Sequence, residues 1–408
     1  MKLLHTSDWH LGKHLETISR IEEQQDVLNE IIDIAEKEEV DAVLVTGDLF
    51  DTFNPSVEAI DLFYKTLKCL ADNGRRPVVA IAGNHDSPDR IEAPDPLAKE
   101  CGIIFAGYPN SKIQPFDLKT GLSVINSEEG FLELKLPHCD DPLRILLTPY
   151  ANEYRLKTYL GQENSEEELR QVLQENWQRL ADKYLDEKGI NILAAHLFLM
   201  KEGTEQPEEP EDEKPVLHLG GAQAIYSRNL PGQLQYAALG HLHRKQFIDT
   251  APCPVVYCGS PLAYSFGEAN QDKYVMIADI QPGKEAQVRE VELQKAKKLL
   301  RRKFDKVDQA CEWLSQCDHS IVELTMETDH YLTPDEKKRL YAAHPGLFII
   351  PGINNQDQPA EDKKEDIDLT RNIDLLFSDY FASKNAGQQP AEEIMEIFKE
   401  IIAQEVEE

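Results

Sequence analysis

Short apolar runs and amphipathic stretches alternate through the first hundred residues, and the alternation predicts the elements. Runs at 2–6, 40–45 and 77–82 are brief, apolar and largely β-branched or aliphatic, as buried parallel strands are. Between the first two, Val27, Leu28, Ile31, Ile32 and Ala35 recur at i, i+3 and i+4 spacing and predict a helix over 20–37. A second helix is expected over about 56–72. Crossovers of this kind build a parallel sheet whose loops gather at one edge. From 102 to 150 the elements shorten to strands at 102–106, 120–125, 130–136 and 143–148, with 110–121 and 137–142 read as hairpin connections. A helix at about 165–187 precedes strands at 190–196, 233–239 and 255–261, and 273–280 is expected to close the sheet. Beyond residue 290, helices at 306–316 and 333–343 alternate with strands at 320–326 and 346–350, which predicts a small separate α/β unit. Residues 353–368 are polar and charged, as linkers are. The end of the chain carries Leu375, Leu376, Phe377 and Phe381, then Ile394, Ile397, Phe398, Ile401 and Ile402 in a helical stripe. Such a stripe suits a core, but after a linker it has little of its own chain to cover it, which favours docking on a partner.

Composition adds limits. With 408 residues and 41% hydrophobic content, the chain can build one large core and at least one smaller module. It contains no apolar run of about 18 residues, and its first residues turn polar too early for a signal peptide, so a soluble, cytoplasmic protein with no membrane contact is expected. Its seven cysteines are scattered without paired spacing, which indicates neither a disulfide framework nor a structural zinc site. The net charge of −31 argues against a protein that coats nucleic acid by electrostatics alone. It leaves room for a nuclease whose metal ions and partner supply positive charge. Two segments stand out locally. Residues 201–215 are too acidic and proline-rich to pack and read as a mobile surface loop. The basic run Lys295, Lys297, Lys298, Arg301, Arg302 and Lys303 reads either as a phosphate-backbone contact or as a solvated helix face.

Candidate chemistry sits where the strands end. The run at 2–6 leads to Asp8 and His10, the run at 40–45 to Gly47 and Asp48, and the run at 77–82 to Gly83, Asn84, His85 and Asp86. His196 ends one later strand; His241 and His243 follow another. In open α/β sheets ligands bind at the carboxyl ends of strands, and a glycine beside a carboxylate permits close approach. Any one of these histidines reads as an ordinary buried side chain, and His138, in a polar turn, as a solvated one. Together, carboxylate, imidazole and amide oxygen suit Mn, Fe or Zn as hydrolytic ions without thiolate. Two divalent ions about 3.5–4 Å apart need a shared ligand; a carboxylate can bridge where an imidazole cannot, and Asp48 is placed for that role.

Ser7-Asp8-Trp9-His10-Leu11-Gly12, Gly47-Asp48-Leu49-Phe50-Asp51, Gly83-Asn84-His85-Asp86, Gly240-His241-Leu242-His243 and Cys258-Gly259-Ser260-Pro261 together resemble the calcineurin-like metallophosphoesterases, and within them the nuclease subunits of double-strand-break repair complexes. The motifs cover residues 1–280. The resemblance implies an α/β fold: a four-layer α-β-β-α sandwich over 1–285, a small α/β capping domain over 290–352, a linker at 353–368 and C-terminal helices at 369–408 that dock on an SMC-like, ABC-type ATPase. It implies one metal held by Asp8, His10, Asp48 and His243, and a second held by Asp48, Asn84, His196 and His241, most simply manganese. It makes His85 the catalytic histidine outside the ligand set, and leaves Asp51, where archaeal and eukaryotic relatives carry histidine, without a role. The implied activity is hydrolysis of DNA phosphodiesters by a hydroxide formed between two metals, as a 3′–5′ double-strand exonuclease and a single-strand and hairpin endonuclease, in a homodimer within a heterotetramer. A phosphomonoesterase or cyclic-nucleotide phosphodiesterase on the same scaffold is the alternative within enzymes, since fold does not fix substrate. A metal-free interaction scaffold is the alternative outside them.

Overall fold

A computed structural model describes residues 1–156, 165–204, 225–328, 332–353 and Met395. The first apolar runs form strands Lys2–Thr6, Ala42–Thr46, Val78–Ile81 and Ile103–Ala106, hydrogen-bonded side by side and all parallel. Tyr274–Asp279 joins Lys2–Thr6 antiparallel, and Gln287–Glu292 forms the outer edge of this six-stranded sheet. The edge position corrects the expectation that 273–280 closes the sheet. A second, seven-stranded sheet has parallel strands Cys139–Thr148, Ile190–His196, Tyr236–Gly240 and Val255–Tyr257 at its centre, flanked by antiparallel Gln246–Asp249 on one side and Phe131–Leu136 and Ser123–Glu128 on the other.

The two sheets pack face to face. The period of two along each strand decides which side chains meet. Leu44 points inward to Ile192, Ala194 and Ala238 of the opposite sheet, while Val43 and Val45 point outward to Val27, Ile31, Phe63 and Leu67. Those residues lie on helices Ile21–Lys37 and Val57–Leu70, the second capped by Ser56, whose hydroxyl accepts from Ala59 N at 3.2 Å. On the far side, helix Ser165–Tyr184 lays Leu169, Leu173, Trp177 and Leu180 against Leu146, Leu193, Ala195 and Leu239. The result is the expected α/β fold with layers α-β-β-α, each fully buried aliphatic side chain contributing roughly 1.5–3 kcal/mol. His5 is a polar side chain between the sheets. Its Nδ1 lies 2.9 Å from Tyr236 Oη and its Nε2 3.0 Å from Thr46 Oγ1, and burial pulls its pKa down to about 3, so it is neutral.

The 110–121 segment does not join neighbouring strands of one sheet: it carries the chain from the first sheet, left at Ala106, to the second, entered at Ser123, and only its end, from Phe116, turns back antiparallel on Ser123 and Val124. Nor does 137–142 connect a hairpin in full. The turn is confined to Pro137 and exposed His138, and the next strand begins at Cys139. Lys298, Arg301, Arg302 and Lys303 of the basic run lie on a strand, Lys298–Phe304, in place of a helix face, with Lys295 and Lys297 in the segment before it. The strand pairs in parallel with Ser320–Thr328, itself parallel to Leu347–Ile353, so ladder hydrogen bonds override the run's helical charge pattern. Helices Val307–Leu314 and Pro334–Ala343 cover this three-stranded sheet around Ala310, Val322, Leu324 and Leu340. The small layer meets the large body where Leu299, Ile321 and half-buried Phe348 pack on Leu15, Ala263 and Phe266. Both belong to one compact unit, Met1–Asn354. No helix among the described residues is long and apolar enough to cross a membrane. Beyond residue 204 the acidic loop lies outside the described residues, as do the linker beyond Ile353 and, apart from Met395, the expected C-terminal helices.

Candidate metal centre

The carboxyl ends of Lys2–Thr6 and Ala42–Thr46 meet those of Ile190–His196 and Tyr236–Gly240 across the gap between the sheets. The loops there are tied backbone to backbone: Asp8 N donates to Gly47 O at 3.0 Å, His10 N to Asp48 O at 2.9 Å and Leu11 N to Leu49 O at 3.1 Å. Four of the predicted side chains leave their strands in left-handed backbone, at φ 52° for Asp8, 41° for His10, 45° for Asp48 and 112° for His241. Each costs about 1–3 kcal/mol, a strain that persists where the surrounding bonds over-determine the geometry. It turns the side chains out of the strand direction and toward one another. Gly47, at φ 94°, is required twice over, because a Cβ there would also overlap the His196 ring. A Cβ on Gly83 would overlap Asp48 Oδ1.

The structure brings all eight predicted residues together. Asp8, His10 and His243 converge in one group and Asp48, His196 and His241 in another. Asp48 Oδ2 lies between the groups, 3.6 Å from His10 Nε2 and 3.3 Å from His196 Nε2. Asn84 Oδ1 is 3.0 Å from His196 Nε2 and 3.1 Å from His241 Nδ1. His10 Nε2 and His243 Nε2 face each other at 3.0 Å. His85 stands beside this set, its ring 4.9 Å from that of His10.

The donor set asks for positive charge. His196 Nδ1 lies 2.9 Å from Thr46 O, which only accepts, so Nδ1 carries the hydrogen and Nε2 offers a lone pair. That lone pair faces two oxygens, Asp48 Oδ2 and Asn84 Oδ1, that also only accept. A cation between them resolves the clash. Otherwise a proton must stand in, and this is the direction of the titrations. Burial works to lower the His196 pKa, yet the Asp48 carboxylate outweighs it and takes the imidazole up to about 9. Burial works to raise Asp48, and His196 and His10 hold it well below the usual carboxylate range. Burial lifts the Asp8 carboxyl to about 6 and lowers His241 to about 3 and His10 well below its ordinary value. Neutral imidazoles, two carboxylates and an amide oxygen are the forms that bind hard or borderline divalent ions, so the residues present fit two of them.

A supporting shell holds this geometry, and most of it carries no signal in the sequence. Fully buried Asp86 accepts from Leu49 N and Phe50 N at 3.0 Å and from Gly83 N at 2.7 Å, tying two strand-end loops together. It stands inside the Gly83–Asp86 motif, which could have marked it. Buried Arg155 donates to Gly83 O at 2.7 Å and Asp86 O at 2.8 Å. Glu268, 1% exposed, sits 3.6 Å from His243 Nδ1 and is paired with buried Lys273, which also donates to His243 O at 3.0 Å. Asp51 finds a place: its carbonyl lies 2.9 Å from His85 Nδ1, and its carboxylate 3.7 Å from His10 Nδ1 and 3.2 Å from Lys13 Nζ. A cleft of about 1030 Å³ opens over the centre, walled partly by Arg301, Glu323 and Ile350 of the three-stranded layer.

The calcineurin-like phosphoesterase family matches residues 1–245. Over 410 aligned residues the chain is 35% identical to SbcD, a subunit of the SbcCD nuclease, from Bacillus subtilis strain 168, spanning 98% of this chain and 97% of that protein. The SbcD proteins from Staphylococcus epidermidis and Rhodobacter capsulatus are 29% and 33% identical over 286 and 290 residues, each alignment covering 69% of this chain and 66% and 67% of theirs.

Proposed function

The chain belongs to the calcineurin-like phosphoesterases, among the SbcD nucleases, and from that premise we propose that this metal-dependent nuclease cuts DNA at the strand-end centre with two divalent ions. Asp8, His10, Asp48 and His243 would hold one ion, and Asp48, Asn84, His196 and His241 the other. The observation that carries the assignment is Asp48 Oδ2 lying between His10 Nε2 and His196 Nε2. A carboxylate in that position can bind on both sides at once. Manganese suits the mixed oxygen and imidazole set.

Bound there, the ions lower the pKa of water and neutralise charge developing on the phosphoryl oxygens. The chain's own residues do the rest. His196 is held in one tautomer by Thr46 O, and Glu268 beside His243 acts as the carboxylate behind a ligating histidine. His85 gives its Nδ1 hydrogen to the Asp51 carbonyl, which leaves Nε2 to exchange a proton in the cleft. From that position it would protonate the departing oxygen of the cut strand.

By likeness to its relatives the chain would work as a 3′–5′ double-strand exonuclease and a single-strand and hairpin endonuclease in DNA repair and recombination. It would act in the cytoplasm with an SbcC-like SMC/ABC-type ATPase, as a homodimer within a heterotetramer. The domain plan follows the same reading: nuclease body over 1–285, cap over 290–352, linker over 353–368, and partner-docking helices over 369–408. Purified protein loaded with manganese should degrade linear DNA, and His85→Gln should abolish cutting while manganese still binds. Full cutting by His85→Gln would remove His85 from the mechanism.

A further inference from the structure

We propose that Lys13 grips a backbone phosphate of the DNA strand lying in the cleft, a substrate contact that rests on the DNA-cutting reading of the centre. Lys13 follows directly on the turn that presents His10, and its N–H donates to His10 O at 3.0 Å, so its backbone is fixed to that of His10. Its ammonium lines the cleft, a quarter exposed, 3.2 Å from Asp51 Oδ1 and 5.6 Å from the centre of the Tyr264 ring. Tyr264 is itself anchored by a hydrogen bond to Trp9 O, and its ring lies 5.3 Å from that of His10. Carboxylate and ring face therefore hold the lysine head at the rim of the centre.

Three side chains at this rim, His10, Asp51 and His85, also converge closely enough to suggest a further metal site. The lysine argues against one. The Asp51 oxygen that such an ion would need is already 3.2 Å from an ammonium. The cation at this corner is thus built into the chain. An ammonium has three donors, and Asp51 meets it as an ion pair from one side. In a chain of net charge −31, a fixed positive head beside the reacting groups is where a polyanionic strand gains most. Asp51, to which its motif gave no role, becomes the residue that positions Lys13 through its carboxylate and His85 through its carbonyl.

The test uses the full-length, manganese-loaded protein as wild type, Lys13→Ala and Lys13→Arg. Initial rates on linear duplex DNA are measured against DNA and salt concentration. Binding of a labelled duplex is read by anisotropy in the non-cutting His85→Gln background, and manganese binding by calorimetry. Lys13→Ala should raise KM about tenfold with kcat within about threefold, the signature of lost uniform binding. The slope of log affinity against log salt should fall by about one, as for one lost phosphate contact. Lys13→Arg should recover most of the affinity, and manganese stoichiometry should match wild type in both. Unchanged KM and salt slope would overturn the proposal, as would Lys13→Arg behaving like Lys13→Ala, a fall in kcat alone, or loss of manganese. A wild-type protein that binds duplex without cutting it would count against the nuclease reading instead, and the anisotropy comparison would still decide the lysine.

Discussion

At the scale of single residues, Asp48 has the most to lose. Among the described residues it stands between the two candidate ligand groups, so Asp48→Ala should reduce bound manganese from two ions per chain to fewer than one, whereas His10→Ala or His196→Ala should each spare the other site; elemental analysis after desalting reads the difference. Gly83→Ala should produce a milder version of the same loss, because the added methyl overlaps Asp48 Oδ1 and displaces the bridging carboxylate. Glu268→Gln tests the shell behind His243, and loss of such a partner costs about 10–100-fold in metal affinity, which calorimetry would detect. The same substitution has a pH signature. Burial alone would raise the Glu268 carboxyl, but Lys273 holds it down to about 2. A depressed carboxylate contributes stability that is present above its unfolded pKa of about 4 and lost as pH falls through the folded value. In metal-free protein, the stability gap between wild type and Glu268→Gln should therefore be constant above about pH 5 and shrink toward pH 2. The candidate ligands were legible in the sequence because each follows an apolar strand, where chain direction alone brings them to one edge. Glu268, Lys273 and Arg155 were not, since the site residues they support, His243 for the first two and Gly83 and Asp86 for Arg155, lie far along the chain and only the fold joins them.

At the scale of elements, the strand-helix crossovers were readable because hydrophobic period and length agree, as over Ile21–Lys37 and Ala42–Thr46. What failed was sheet membership. The segments around 110–121 and 273–280 have the right local character, but nothing local says which of two sheets a strand joins or whether it ends one. The basic strand Lys298–Phe304 failed for a related reason. Its charges are answered by acids brought up by the fold, Arg301 by Glu323 and Lys303 by Glu327 on the neighbouring strand and Lys298 by Asp272 in the loop before Tyr274–Asp279, and these pairs exist only once the chain is folded. Arg302 instead lies over the rings of Phe304 and Trp313. Substituting the exposed pairs of Lys298 and Lys303 should change stability by less than about 1 kcal/mol each. Asp86 is the opposite case. Its carboxylate serves three backbone donors from two loops, and Asp86→Ala strands them in a buried place, at about 1–3 kcal/mol per unsatisfied group. We expect a fall of about 3 kcal/mol or more in unfolding free energy by urea titration, with manganese affinity falling too because the loop before Asn84 loses its tie to the loop after Asp48.

At the scale of the whole molecule, charge and metal are coupled. The chain carries −31 overall, and its centre gathers Asp8 and Asp48 beside His10 and His241, which burial holds neutral, and His196, which it does not. Such a cluster is poorly compensated by protein alone, and the proton that His196 takes up is the compensation available without a cation. Ions that bind only the assembled centre must then stabilise the fold by mass action, about 2.7 kcal/mol for one site at a hundred times Kd. Because the candidate ligands come from both sheets, this stabilisation would clamp the two halves of the sandwich together and would not be confined to one loop. Tm should therefore rise continuously with manganese concentration above the first Kd, and addition of EDTA should return it to the metal-free value. In Asp48→Ala the rise should all but vanish, and in Lys13→Ala it should be undiminished. A Tm rise of the same size in Asp48→Ala would locate the stabilising ions elsewhere on this acidic surface and break the link between the centre and the fold.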